Sequence, residues 1–290
     1  MKETILIVDD IDENLYFLKM FLVNDYNVLS TTDAKEAIKI AKTKKIDLIV
    51  LDVIMPEIDG FEVCNILKNN SKTKKIPVIF VTSKIDEKSI VQGYEMGAVD
   101  YVTKPYKQME LLAKIKTHLK IKNLIEKLEY VATHDTMTDT LNRGEFFKLS
   151  QQRFDENSDN LFAVMIDIDN FKQINDTYGH SVGDQVIKEF ANIVKGYIKK
   201  DTIFGRIGGE EFALVCNCNE DIANKIEVIR KAIEMTCVLI PYQEIKFTIS
   251  IGLSNVTDKH KNIEDVLKSA DYNLYEAKRS GKNKIVFRER

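Results

Sequence analysis

The chain has 290 residues, 44% of them hydrophobic and 30% charged, with a formal net charge of −3. That length and balance fit two ordinary globular domains and exclude a disordered tail, while the near-neutral charge excludes a general basic field for nucleic acid. No apolar run approaches the ~18 residues of a membrane span, and Met1-Lys2-Glu3-Thr4 leads into too short an apolar stretch for a secretory leader. The four cysteines, Cys64, Cys216, Cys218 and Cys237, are scattered and lack histidines at zinc-ligand spacing, so a reducing cytoplasm is expected.

In chain order, Ile5 to Val8 is a continuous apolar run that ends in Asp9 and Asp10, followed by a helical pattern through Leu15, Leu18, Met20 and Leu22. Leu48 to Leu51 ends at Asp52, Val78 to Val81 at Thr82, and Tyr101-Val102 at Lys104-Pro105. Runs apolar throughout, alternating with amphipathic segments, predict a doubly wound parallel α/β sheet buried on both faces over residues 1–120. Ligands of such sheets bind beyond the carboxyl ends of the strands, where these polar residues converge.

From Met109 the apolar spacing Leu112, Ile115, Leu119, Ile121, Leu124 or Ile125, Leu128 and Val131 predicts one long helix to about Thr133. Some 25 residues at 1.5 Å each make a rod of about 40 Å. Its part beyond the first domain, residues 121–133, holds about two heptads, too few for a stable coiled coil unaided. Over residues 134–290, Leu161 to Ile166 is an apolar strand that delivers Asp167. Further on, Arg206-Ile207-Gly208-Gly209-Glu210-Glu211-Phe212 reads as a β-hairpin with two acids at its tip. Glycines at a turn let a ligand approach the backbone, and neighbouring carboxylates are hard oxygen ligands suited to Mg²⁺ beside a nucleoside triphosphate.

Four motifs carry a resemblance. The hairpin resembles the GG(D/E)EF signature of diguanylate cyclases. Asp167-Ile168-Asp169-Asn170-Phe171-Lys172-Gln173-Ile174-Asn175-Asp176 resembles their DxDxFKxxND run, Gly179-His180-Ser181-Val182-Gly183-Asp184 their GHxxGD, and Ala270 to Lys278 their ADxxLYxAK helix. The first 120 residues resemble the receiver domain of bacterial response regulators. The resemblance implies a flavodoxin-like receiver joined by the long helix to an α+β GGDEF domain, nucleotide-cyclase-like with a ferredoxin-like core.

In the receiver it implies that Asp52 accepts a phosphoryl group from a cognate histidine kinase, that Asp9, Asp10 and Asp52 hold Mg²⁺, and that Lys104 pairs with the phosphoryl oxygens. Thr82 and Tyr101 fall on the switch positions, and Lys104-Pro105 is expected to be cis. In the C-terminal domain it implies Mg²⁺, with Mn²⁺ as the alternative, on Asp167, the Ile168 carbonyl, Glu210 and Glu211. Asn175 and Asp184 would read guanine, Gly208 and Gly209 would admit the nucleotide, and Lys172, Lys278 and Lys282 would meet the phosphates. Glu210, Glu211 and Lys172 are the catalytic candidates. The implied reaction joins two GTP molecules across a homodimer formed on phosphorylation, giving cyclic di-GMP and two pyrophosphates.

Three departures qualify the resemblance. Lys282 stands where an arginine is usual, a point charge in place of a bidentate fork. Asp139 replaces a glycine of the entry motif His134 to Arg143. Lys199 and Thr202 occupy the positions of the RxxD product-inhibition motif, so feedback through that site is expected to be weak, and Arg230, a candidate for a secondary site, reads as a solvated helix residue. The alternative reading is a silent GGDEF module that binds GTP or cyclic di-GMP without turnover; the intact Asp167, Glu210 and Glu211 favour the enzyme. A third reading has the receiver chiefly dock a protein partner.

Overall fold

The computed structural model describes residues 2–83, 87–218, 221–240 and 243–288. It divides into two compact units, Met1–Lys127 and Leu128–Arg290.

In the first unit, strands β1 (Thr4–Val8), β2 (Asn27–Thr31), β3 (Leu48–Asp52), β4 (Val78–Thr82) and β5 (Asp100–Thr103) alternate with α1 (Asp12–Leu22), α2 (Ala34–Thr43), α3 (Gly60–Lys68) and α4 (Glu87–Glu95) before α5 (Gln108–Thr133). The sheet runs in the order β2-β1-β3-β4-β5, parallel throughout. Because side chains alternate across a strand, Leu6 and Val8 pack toward α2 and α3 while Ile5 and Ile7 pack toward α1 and α5, which is why these strands read as apolar throughout. Asp33 and Asp59 cap α2 and α3, accepting the backbone N–H groups of Glu36 at 2.6 Å and Glu62 at 2.9 Å.

Helix α5 buries Leu111, Ile115 and Leu119. One further turn of it is fastened by Lys122, which bonds Asp47 at 3.1 Å and Glu126 at 2.8 Å, with its own side chain only 11% exposed. The linker expected from residue 121 is therefore tied to the first unit through Lys122. Ile121, Leu124, Ile125, Leu128 and Val131 stay exposed.

The second unit contains α6 (Arg143–Glu156), β6 (Leu161–Ile168), α7 (Phe171–Tyr178), α8 (His180–Tyr197), β7 (Ile203–Gly208), β8 (Glu211–Asn217), α9 (Ile222–Met235), β9 (Cys237–Ile240), β10 (Gln243–Lys246), β11 (Ile249–Asn255), α10 (Ile263–Arg279) and β12 (Ile285–Phe287). Its main sheet has the order β12-β11-β6-β8-β7, antiparallel except for β11 with β12. One face is covered by α7, α8 and α9 around Phe190, Phe204 and Phe212; α6 and α10 cover the other around Phe146, Leu267 and Leu274. Helix α10 lies so close to β11 that a Cβ on Gly252 would fall 2.0 Å from the Ala270 carbonyl oxygen and 2.1 Å from the Leu274 nitrogen.

Candidate functional site

In the first unit the carboxyl ends of β1 and β3 bring Asp9, Asp10 and Asp52 together, each offering a carboxylate oxygen within 4.8 Å of the others. Among the described residues this is the one such trio. Asp9 and Asp52 are 1% and 4% exposed, and the Lys104 ammonium bridges them at 2.7 and 2.6 Å. The free oxygen of Asp9 accepts from the Ile11 N–H and Asn14; that of Asp52 accepts from the Ile54 N–H.

Burial, aided by the charge of Asp9, raises the Asp52 carboxyl above the usual range against the pull of Lys104. Burial lowers Lys104, yet the two carboxylates outweigh it and hold the ammonium above its ordinary value. Converging carboxylates with one compensating cation carry surplus negative charge, which suits a divalent hard cation. Thr82 is buried and Tyr101 half-buried, its ring edge-on to Tyr94 at 6.2 Å. The Lys104-Pro105 bond is cis, as expected.

In the second unit, antiparallel pairing sets Asp167, near the end of β6, opposite Glu211, the first residue of β8. Gly209 and Glu210 form the turn between paired Gly208 and Glu211, and Ile207 is the extra residue of a β-bulge in β7. Asp167 is 5% exposed and ion-paired with Lys278 of α10 at 2.8 Å. Burial pushes its carboxyl up to about 6; Lys278 opposes this and the charges of Glu210 and Glu211 reinforce it. Carboxylates are hard oxygen donors of the kind Mg²⁺ takes, but Asp167, Glu210 and Glu211 do not draw their oxygens together within 4.8 Å as the receiver trio does.

This shift has a measurable sign. The folded chain keeps a proton on Asp167 up to about pH 6, whereas the ordinary value is 3.8. The group therefore adds stability as pH falls from about 6 toward 4 and costs stability above 6. If Asp167 is a cation ligand, binding requires its carboxylate, so any Mg²⁺ affinity of the nucleotide-free second unit should fall about tenfold per pH unit below 6. Calorimetric titration of Asp52→Asn protein at pH 5 and pH 7 checks this; equal affinities would remove Asp167 from the ligand set.

Asn175 of α7 and Asp184 of α8 are half-buried side chains on neighbouring helices, and Asn175 packs directly against Gly183, where a Cβ would lie 1.9 Å from its Oδ1. Lys172 is exposed on the first turn of α7. Lys282 donates its ammonium to Asn170 Oδ1. Lys199 is exposed and Thr202 half-buried, joined by a backbone hydrogen bond of 3.1 Å. Asp139 adopts φ 57°, the left-handed conformation that a glycine would take freely and that aspartate tolerates better than most residues.

Three residues matter more than their sequence context announced. Arg206 forks: Nε and Nη2 donate to the Gly209 carbonyl at 2.9 and 2.7 Å, and Nη1 reaches Asp135, two residues beyond α5, at 3.1 Å. Against the effect of burial, Thr138 and Arg206 hold Asp135 below the usual carboxylate range. Asp169, 4% exposed, accepts from Thr248 at 2.7 Å and Ser250 at 2.6 Å, both on the β11 side of the sheet. Arg230 corrects the expectation of a solvated residue: it is 8% exposed, chelated by Glu227 and bonded to Glu234 and Asn283. The signal available in sequence was the pair of glutamates three before and four after it.

The family model for the GGDEF domain of diguanylate cyclases matches residues 132–284, and that for the response regulator receiver domain matches residues 5–116. Response regulator PleD of Caulobacter vibrioides is 30% identical over 298 aligned residues, 97% of this chain and 65% of PleD. Diguanylate cyclase A of Treponema denticola is 30% identical over 86% of this chain and 64% of its own length. The chain thus spans somewhat under two thirds of these relatives. Among solved structures, the coiled coil and GGDEF domain of DgcB from Caulobacter crescentus, in complex with c-di-GMP, aligns with TM-score 0.57 and 25% identity, covering 62% of this chain and 98% of that one. The DgcB GGDEF domain alone aligns at TM-score 0.52 with 29% identity, over 54% of this chain and 93% of that one. The chain is therefore a response regulator of the GGDEF family, a receiver domain at residues 5–116 and a GGDEF domain at 132–284 in one polypeptide.

Proposed function

We propose that this response regulator is a diguanylate cyclase switched on by phosphorylation of Asp52. The observation that carries the reading is the register of β6 and β8, which sets Asp167 opposite Glu211 with Glu210 on the adjoining turn and Lys278 against Asp167. In this reading Asn175 and Asp184 receive the guanine edge, and Lys172, Lys278 and Lys282 face the phosphates. Asp167, the Ile168 carbonyl, Glu210 and Glu211 hold Mg²⁺, or Mn²⁺ in its place. When bound, the ion neutralises charge on the phosphoryl group and lowers the pKa of the attacking hydroxyl.

Each protomer of a homodimer presents one GTP. The ribose 3′-oxygen of each attacks the α-phosphorus of the other, the bond to the β-phosphate bridging oxygen breaks, and pyrophosphate leaves. Glu211 takes up the proton of the 3′-hydroxyl. Two such steps give cyclic di-GMP, so a monomer is inactive. The exposed face Ile121, Leu124, Ile125, Leu128 and Val131 supports pairing of two α5 helices once phosphorylated receivers associate, the second contact then being effectively intramolecular. The phosphoryl donor is a histidine kinase, and the site of action is the cytoplasm.

The test is chromatography of products from GTP and Mg²⁺, with and without beryllofluoride as the phosphoryl mimic. Cyclic di-GMP that rises with the mimic supports the proposal; bound but unconverted GTP under both conditions would make the chain a nucleotide-binding module instead. Asp52→Ala should remove the activation and leave the basal rate within about twofold, because Asp52 belongs to the receiver and carries no step of the proposed reaction.

A further inference from the structure

The turn Gly281-Lys282-Asn283 has φ values of 114, 62 and 46°, three successive residues in left-handed or neighbouring conformations. For lysine that conformation is strained, and such backbone persists only where its surroundings hold it. Asn283 supplies the hold. Its N–H donates to Asp169 Oδ2 at 3.0 Å, its Nδ2 donates to Glu234 at 2.7 Å, and its Oδ1 accepts from the Arg230 guanidinium. Arg230 is itself fixed by the two-pronged bond to Glu227 at 2.8 and 2.7 Å and by Glu234 at 2.9 Å. Asp169 is anchored from beneath by Thr248 and Ser250. Between these anchors the Lys282 ammonium is directed onto Asn170, the residue following Asp169, just beyond the end of β6 that carries Asp167.

We infer that Arg230, acting through Asn283, is a positioning residue for Lys282, and that the triphosphate of GTP is the part of the substrate this relay recognises. The inference rests on the cyclase reading for the identity of the ligand. Its physical content is that a flexible lysine aims well only from a fixed backbone. Lysine lacks arginine's planar fork, so the accuracy lost by having Lys282 where arginine is usual is recovered by constraining the turn beneath it.

Binding of 3′-deoxy-GTP, which lacks the attacking hydroxyl, and of GMP, which lacks the β- and γ-phosphates, is measured by calorimetry in the full chain. Arg230→Gln should weaken 3′-deoxy-GTP about tenfold, the size of one lost charged hydrogen bond, and leave GMP within about twofold. Lys282→Ala should do the same, and adding it to Arg230→Gln should cost less than twofold more. Should Arg230→Gln fold poorly, Asn283→Gly removes the relay while tolerating the positive φ, and should give the same pattern.

Equal weakening of GMP and 3′-deoxy-GTP would show general loosening and overturn the inference, as would additive effects of the two substitutions. Loss of binding in Lys282→Ala with full binding in Arg230→Gln and Asn283→Gly would overturn the relay alone. Absence of 3′-deoxy-GTP binding to the unaltered chain would remove the cyclase reading and the relay with it.

Discussion

Replacing Glu211 by alanine is expected to lower cyclic di-GMP formation on the order of 10³-fold while Asp52 still accepts a phosphoryl group. The magnitude follows from removing at once a carboxylate proposed to hold Mg²⁺ and to take up the proton of the attacking hydroxyl. Glu211 is half-buried at the first position of β8, where it faces Asp167 across the sheet, and its carboxylate lies beside Gly208 rather than in the apolar core. The fold therefore has little reason to change. GTP affinity should fall less than turnover, because Asn175, Asp184 and the lysines remain. Product chromatography gives the rate, and incorporation of phosphate from a small-molecule phosphoryl donor checks the receiver. An unchanged rate would place the chemistry elsewhere in the chain.

Gly252→Ala should destabilise the second unit selectively. A methyl group there overlaps the Ala270 carbonyl oxygen and the Leu274 amide of α10 at 2.0 and 2.1 Å, and neither backbone group of a buried helix turn can rotate aside. Helix α10 would have to withdraw from β11, exposing Ala270 and Leu274, which are 0% and 2% exposed. Overpacking against backbone costs about 3 kcal/mol, equivalent to a drop of roughly 6–12 °C in a unit of this size. Calorimetry should show the GGDEF transition moved and the receiver transition in place; an unshifted pair would mean that α10 slides at little cost.

The parts of both sites that were legible in the sequence are those set by short stretches of chain. Apolar strands ending in Asp9, Asp52 and Asp167 announce a sheet edge, and Gly208-Gly209 between apolar runs announces a hairpin. What was not legible joins distant segments. Nothing near Arg206 indicates that Asp135, 71 residues away, receives its other prong, and nothing near Asn283 indicates Arg230, 53 residues away. The burial of Arg230 was misjudged because burial of a cation depends on partners, and only Glu227 and Glu234 are local. The tie of Lys122 to Asp47 is hidden in the same way, because its acceptor precedes it by 75 residues. Asp139 departed from the family residue without departing from its backbone, a distinction that a string of letters does not carry.

The bulge at Ile207 bears on how this hairpin can vary in length. Side chains alternate between the two faces of a strand, so the extra residue decides which face Gly208 and the turn present. Deleting Ile207, or inserting one residue after Gly209, would exchange the faces on one arm while leaving Asp167 and its partner strand where they are. Surface turns generally accept insertions and deletions, and this one should accept neither. Libraries of single-residue indels scanned across the second unit should recover functional variants in the loop before α10 and none between Arg206 and Glu211.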